Sequence, residues 1–142
     1  MSRIAICILA VFFLSGCKKP DVKDNTVLEQ YFETNILNRN FVVSYAKDNA
    51  NDITSSYEGY IFVLLKTDMY HGPLKVINGN REFSGSWSSN EDYGKLTIKL
   101  PGTPPEFAFL TRDWRFTSKA LPVLKLAPWG SVADTEVHMT RQ

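Results

Sequence analysis

The chain has 142 residues, with 16 Lys and Arg against 15 Asp and Glu, and its formal net charge is +1. This balance excludes the basic footprint of a nucleic-acid-binding protein, so we expect no nucleic acid among its partners. The length is that of one domain with a sizeable core.

The first residues have the layout of a secretory leader. Arg3 is followed by an apolar run over residues 4–14, then by Ser15-Gly16-Cys17 and a polar stretch. The run has the length of a signal-peptide core and is shorter than the about 20 residues that a membrane-spanning helix needs. Leu14-Ser15-Gly16-Cys17 resembles the lipobox of bacterial lipoproteins, and the resemblance implies cleavage before Cys17 and lipidation of its thiol. The alternative is an ordinary secretory leader that ends near Cys17.

This interpretation divides the chain into a signal peptide over 1–16, a polar tether over 17–25 and a folded domain over 26–142. Two or more acyl chains, at about 0.8 kcal/mol per buried methylene, attach a protein stably, so we expect the domain to stay on a membrane. Lys18 rather than Asp after the lipidated residue favours, by resemblance to Gram-negative sorting rules, the outer membrane. Cys7 leaves with the leader and Cys17 carries lipid, so the folded part has no thiol for a disulfide, a zinc site or a nucleophile.

The start of the domain predicts one short amphipathic helix. Apolar residues recur at helical spacing from Leu28 to Ile36, and Thr26 with Glu29 has the spacing of a capping box. Two roles are open for this helix. It covers the end of a barrel or one face of a sheet, or it binds a membrane surface or a partner.

From Phe41 onward, short runs rich in aromatic and β-branched residues are separated by turn residues about every 8–12 positions. This rhythm predicts an all-β domain, an antiparallel meander that closes into a β-barrel, with a β-sandwich as the alternative. The predicted strands cover residues 41–45, 60–65, 74–77, 80–87, 93–100, 106–110, 114–118, 121–126 and 136–140.

Asn78-Gly79 is the strongest hairpin signal in the chain, because a two-residue type I′ turn needs a positive φ at both central residues. With these two residues as the loop, Leu74 lies opposite Phe83 and Lys75 lies opposite Glu82. The prediction is one apolar pair and one ion pair across the two strands.

Five features between Tyr60 and Arg141 carry a family resemblance. They are Gly85-Ser86-Trp87 closing a hairpin, the alternating strand over 95–100, Trp114 at the start of a later strand, the Leu-x-x-Leu-x-Leu pattern over 121–126, and a final strand that ends in Arg141. With these features the run resembles the lipocalin-like domains of bacterial lipoproteins. The resemblance implies an up-and-down β-barrel, often with a ligand-sized interior.

Aromatic residues supply the candidate ligand site, since apolar walls with a few polar groups suit a small molecule. Trp87 and Trp114 have the alternative role of core anchors, and Trp129, between Pro128 and Gly130, is expected on an exposed loop. We expect a hydrophobic or amphiphilic ligand to contact Tyr60, Trp87, Phe107, Trp114 and Trp129.

The common signatures of enzymes are absent from the chain after Cys17. Only His71 and His138 could act as imidazole bases. Asp68 is placed to orient His71, although a turn-forming Asp beside a solvated His is the simpler explanation. An enzyme would need one of these histidines in a concave site within hydrogen-bond reach of a carboxylate. The acidic segment 48–52 matches a turn better than a calcium loop, so we expect no catalytic residue, metal or cofactor.

The leading hypothesis is a non-enzymatic, lipid-anchored protein of the cell envelope that binds a small hydrophobic or amphiphilic ligand in its barrel. The alternative is a structural or protein-interaction lipoprotein whose barrel is filled by its own side chains. Its expected partners are the membrane, through the lipid on Cys17, and either the small ligand or another envelope protein.

Overall fold

The structure is a computed structural model that describes residues 25–142, with side chains from Val27 onward. The predicted leader, the lipidation site Cys17 and the tether up to residue 24 lie outside the described residues. Within the described range, none of the helices has the length and hydrophobicity that crossing a membrane requires.

The described residues are mostly in antiparallel strands joined by short loops. In chain order the elements are α1 (Asn25–Asn35), β1 (Asn40–Asp48), β2 (Asn51–Asp52), a 3₁₀ turn (Thr54–Tyr57), β3 (Tyr60–Leu64), β4 (His71–Asn78), β5 (Arg81–Ser89), β6 (Lys95–Lys99), α2 (Phe107–Leu110), β7 (Asp113–Ser118), β8 (Val123–Pro128) and β9 (Glu136–Arg141).

Eight of these strands close into a barrel. They pair in the order β1, β3, β4, β5, β6, β7, β8 and β9, and β9 then returns to β1, with Phe41 opposite Arg141 and Lys47 opposite Glu136. Strand β2 is a short additional partner of β1. The all-β barrel is therefore confirmed, and the sandwich alternative is wrong because one continuous sheet closes on itself.

Side chains alternate between the barrel interior and its outer wall, as the pleat of a strand requires. On β4, Leu74 and Val76 are buried and the intervening positions are more exposed. On β6, Leu96 and Ile98 are buried and Lys99 is exposed. The interior residues form one continuous hydrophobic core.

Helix α1 is the predicted N-terminal helix, and it covers one end of the barrel. Its Phe32 is 1% exposed and stacks on Tyr93, with ring centroids 4.4 Å apart. Glu29 accepts a hydrogen bond from the Tyr70 hydroxyl in the β3–β4 loop. The Thr26 side chain of the predicted capping box lies outside the described side chains. Of the two open roles, this packing supports the covering one.

The predicted hairpin register is wrong by two residues. The loop is Gly79-Asn80, and Asn78 pairs with Arg81 as the last residue of β4. Gly79 has φ +58°, which is what the first central position of a type II′ turn requires. As a result, Val76 lies opposite Phe83.

A shift of two residues leaves every side chain on its predicted face, because the side-chain period of a strand is two. The predicted ion pair therefore still forms, as a diagonal contact. The Lys75 ammonium lies 3.0 Å from the Glu82 carboxylate on the outer wall.

Residues 106–110, predicted as a strand, instead contain the helix α2. The amides of Phe107 and Ala108 donate to the carbonyls of Pro104 and Pro105. Two consecutive prolines hold φ near the helical value, so the chain after them winds into a single turn. The strand prediction is wrong because it gave the apolar residues of this segment more weight than the prolines before them.

Candidate functional site

Four of the five predicted ligand residues lie in the barrel core. Tyr60 of β3, Trp87 of β5, Trp114 of β7 and Phe107 of α2 are between 0% and 4% exposed. The structure brings Tyr60 and Phe107 into edge contact, with ring centroids 5.6 Å apart. Trp87 and Trp114 occupy the positions of core anchors, and contact of these four residues with a ligand stays a prediction.

The polar atoms of these aromatic residues are used inside the fold. The indole N–H of Trp87 donates to the Leu65 carbonyl at 2.7 Å, and that of Trp114 donates to a carbonyl of α2 at 2.9 Å. The Tyr60 hydroxyl donates to the Glu106 carboxylate at 2.6 Å. Each hydrogen atom already has an acceptor, so none of the three residues offers an unsatisfied donor to a ligand.

Aromatic rings occupy both ends of the barrel. At the end covered by α1, Phe32 lies 5.9 Å from Trp87 and 6.2 Å from Phe116, measured between ring centroids. At the opposite end, Phe107 of α2 packs edge-on against Phe83 at 5.1 Å. Because protein interiors are close-packed, a ligand could enter between these residues only if their rings moved.

Trp129 lies on the surface, as its position between a proline and a glycine predicts. It is 44% exposed at the start of the β8–β9 loop. With Arg115, Ser131 and Val132 it lines an open groove of about 480 Å³. Exposed tryptophan and arginine side chains beside an aliphatic one are typical of the anchor residues of interfaces.

A polar network on β6 and β7 lies beside Trp129. The Lys95 ammonium is 5.4 Å from the centre of the Trp129 ring and 2.7 Å from the Asp113 carboxylate. The Thr97 hydroxyl donates to the other oxygen of Asp113 at 2.7 Å. The bonds from Lys95 and Thr97 lower the pKa of Asp113 below its ordinary value. Arg115, in contrast, has no carboxylate partner within residues 25–142.

His71 meets part of the condition set for an imidazole base, because it reaches a carboxylate. Its Nδ1 lies 2.8 Å from Asp68 Oδ2. The other Asp68 oxygen accepts the backbone N–H groups of Tyr70 and His71 at 2.7 and 2.9 Å, and these bonds, with that from Tyr70 first, lower the pKa of Asp68. The turn therefore fixes the direction of the imidazole ring at the start of β4.

A groove of about 200 Å³ lies beside His71 on the outer wall of the barrel. Three antiparallel strands form it, and its polar residues project outward from alternate positions. Gly72 and Trp87 are among its lining residues. Its polar lining consists of His71, Ser86, Ser88, Thr97 and Lys99.

His138 does not share this site. It lies on β9 with its ring 5.1 Å from that of Tyr45, and its Nε2 is beside the Glu136 carboxylate. Strand β9 pairs with β1 and β8, whereas His71 is on β4. In the part of the chain that the structure describes, no group of three or more His, Cys, Asp or Glu residues could hold a metal ion.

Sequence reasoning missed Ser86, Ser88, Lys99 and Arg115. Strand alternation gives their outward direction, and this signal was available from the pattern of β5, β6 and β7. Their grouping depends on which residues of neighbouring strands face one another. That register is a tertiary property. The local hairpin signal, Asn78-Gly79, predicted a register that differs by two residues from the observed one.

Comparison of the chain with protein-family models, curated proteins and solved structures finds no match. The lipocalin-like resemblance therefore rests on the strand pattern alone and stays a prediction.

Proposed function

We propose that this protein is a lipid-anchored component of the cell envelope that binds another envelope component through the outer surface of a filled β-barrel. The observation that carries the proposal is the packing of the interior. The aromatic side chains that could line a ligand cavity contact one another, and their polar hydrogens bond to the protein itself. The anchor rests on the lipobox resemblance at Cys17.

The groove at Trp129 is the surface best placed to meet a partner. Helix α1 joins the barrel where β1 begins, and the β8–β9 loop lies where β1 ends, as the pairing of Lys47 with Glu136 requires. A tether that precedes α1 leaves the Trp129 end of the barrel facing away from the anchor.

The chemistry of this groove defines the partner. Arg115 supplies a guanidinium that no carboxylate of the described residues neutralises, and Trp129 and Val132 supply apolar contact area beside it. We infer that the partner presents a carboxylate next to an apolar side chain, because a guanidinium binds a carboxylate with two parallel hydrogen bonds.

Cross-linking in intact cells of the native host tests the proposal. The wild type, labelled with radioactive palmitate, should give one adduct of fixed mass. Trp129→Ala should reduce its yield by about tenfold, as expected for a residue at the centre of an interface. Cys17→Ala should lose both the palmitate label and the adduct.

The matched control is Val27→Ala, which removes an exposed apolar side chain at the α1 end and should leave the adduct unchanged. Equal adduct yields from Trp129→Ala and the wild type would contradict the surface site. Saturable binding of free palmitate to the purified protein, followed by tryptophan fluorescence, would contradict the filled barrel and favour a ligand in its interior.

A further inference from the structure

The polar groove beside His71 has an arrangement that the proposed function does not use. Its lining residues lie in two rows that cross strands β4, β5 and β6. His71 is opposite Ser88, which is opposite Thr97, and in the next row Ser86 is opposite Lys99. Directly opposite side chains have Cβ atoms about 5 Å apart. Groups from three strands thus converge on one small area.

Four of these groups are free to bind a ligand. Asp68 holds Nδ1 of His71, so Nε2 is the ring nitrogen that remains, and it has no partner among the described residues. The hydroxyls of Ser86 and Ser88 likewise have no intramolecular hydrogen bond in that range. Lys99 is exposed and has no carboxylate within ion-pair distance in residues 25–142.

The carboxylates around the groove are already paired. Asp68 is held by two backbone amides and His71, and Asp113 is held by Lys95 and Thr97. Lys99 also lowers the pKa of Asp113 through space, but it makes no ion pair among the described residues, so its ammonium is the charge of the groove that is open to a ligand. A cationic nitrogen together with hydroxyl donors forms charge-assisted hydrogen bonds to an anion.

We propose that this groove binds a phosphate group, either free or on a lipid headgroup. A carboxylate offers two oxygens in one plane, whereas a phosphate monoester or inorganic phosphate offers oxygens in several directions and one P–OH proton. Its oxygens suit the donors Ser86, Ser88 and Lys99 of β5 and β6, and its proton suits the Nε2 acceptor of His71 on β4. The volume of about 200 Å³ accommodates one such group. The groove shares no lining residue with that at Trp129. Asp113 connects Thr97, at the edge of the first groove, to Lys95, which lies beside Trp129.

An NMR titration of the full-length chain carrying Cys17→Ala, with inorganic phosphate at constant ionic strength, tests the site. The expected result is saturable shifts at the amides of Gly72, Trp87 and Ser88. Lys99→Ala should weaken the affinity by about tenfold, the usual effect of losing a charge-assisted hydrogen bond.

The matched control is Lys75→Ala, because Lys75 lies on the same outer wall but pairs with Glu82. It should change the affinity by less than about twofold. A second variant, Asp113→Asn, should strengthen binding, since it removes a negative charge beside Thr97 and fills no part of the groove. Shifts that chloride reproduces, or an affinity that Lys99→Ala leaves unchanged, would overturn the proposal.

Vesicle flotation distinguishes the two sources of phosphate. If the ligand is a headgroup, the same chain binds phosphatidic acid vesicles more than phosphatidylcholine vesicles, and Lys99→Ala removes the difference. If the ligand is free phosphate, the titration saturates and the two vesicles bind equally. Failure of both measurements would exclude the site and would leave the cross-linking result at Trp129 unaffected.

Discussion

Gly72 shows how one residue without a side chain permits a buried contact of the core. A Cβ atom at this position would lie 1.9 Å from the carbonyl oxygen of Leu65. That oxygen accepts the indole hydrogen bond of Trp87 at 2.7 Å. Glycine is required here by space alone, because only the absence of a Cβ lets β4 pass this close to the end of β3.

The variant Gly72→Ala should therefore be strongly destabilised. The methyl group must displace the Leu65 carbonyl, and both overpacking and the weakened Trp87 hydrogen bond lower the free energy of unfolding, together by about 2 to 4 kcal/mol. Urea denaturation followed by tryptophan fluorescence measures the loss. Gly102→Ala is the matched control and should be nearly neutral, since nothing lies within 4 Å of a Cβ at that position. Equal stability of the two variants would contradict the close approach.

Single residues were predicted from the sequence with uneven success. Trp129 lies exposed at the start of a loop, as its neighbours Pro128 and Gly130 predict, and those neighbours are visible in the sequence. The burial of Trp87 depends on the Leu65 carbonyl, which lies 22 residues away in the chain. No local pattern indicates such an acceptor, so the sequence left both a ligand role and a core role open for Trp87.

At the scale of elements, the sequence predicted those whose signal is periodic. Helix α1 and the strands around it follow from spacings of three to four and of two residues. The register between β4 and β5 does not follow from periodicity, and neither does the fact that α2 is a helix rather than a strand. Each is decided by the geometry of a local turn. Gly79 suits either of two neighbouring two-residue loops, and prolines 104 and 105 outweigh the strand preference of the residues that follow.

Helix α1 should stabilise the barrel mainly through one side chain. Phe32 is 1% exposed and contacts the rings of Tyr93, Trp87 and Phe116. Phe32→Ala removes these contacts and leaves a cavity, so the free energy of unfolding should fall by about 3 to 5 kcal/mol. Near-ultraviolet circular dichroism and urea denaturation would report the loss.

The same helix supplies the control. Leu28→Ala truncates a side chain that is 39% exposed, and its effect should be no more than about 1 kcal/mol. If Phe32→Ala were as stable as Leu28→Ala, then α1 would not be docked on the barrel end as the ring contacts require.

For the whole molecule, closure of the barrel removes the two long sheet edges that an open eight-stranded sheet would expose. The pairing of β1 with β9 brings the first and last strands of the domain together, so the fold cannot form until nearly all of the described chain is in place. The short strand β2 keeps an edge of only two residues. A closed barrel has two open ends in place of two long edges, so its stability depends on how these ends are covered.

Three core tyrosines close these ends. Tyr57 donates to the Glu106 carbonyl at 2.7 Å, Tyr60 donates to the Glu106 carboxylate, and Tyr93 donates to the Met69 carbonyl at 2.8 Å. Burial, the largest cause in each case, raises the pKa of all three hydroxyls above the ordinary 10.0. The folded state holds these protons more tightly than the unfolded chain does.

The sign of the pH dependence follows from these raised pKa values. The contribution of each tyrosine is complete below the unfolded pKa of 10.0 and is lost as the pH rises toward the higher folded value. Each such tyrosine should lower the free energy of unfolding by about 1.4 kcal/mol per pH unit in that window. The urea midpoint should be flat at mildly alkaline pH and fall steeply above pH 10.

Tyr93→Phe isolates one of these contributions. At neutral pH the variant should be less stable by about 1 kcal/mol, because the Met69 carbonyl loses its donor. Above pH 10 the stability difference between the two proteins should shrink and then change sign. Unfolding of the wild type releases the Tyr93 proton in this range and so becomes more favourable as the pH rises, whereas unfolding of the variant releases no such proton. The lysines with shifted pKa values, Lys47 and Lys119, are present in both proteins and cancel in the comparison. Stability curves that stay parallel through this range would show that the Tyr93 hydroxyl ionises as easily in the folded protein as in the unfolded chain. That result would contradict the burial of Tyr93 at the α1 end of the barrel.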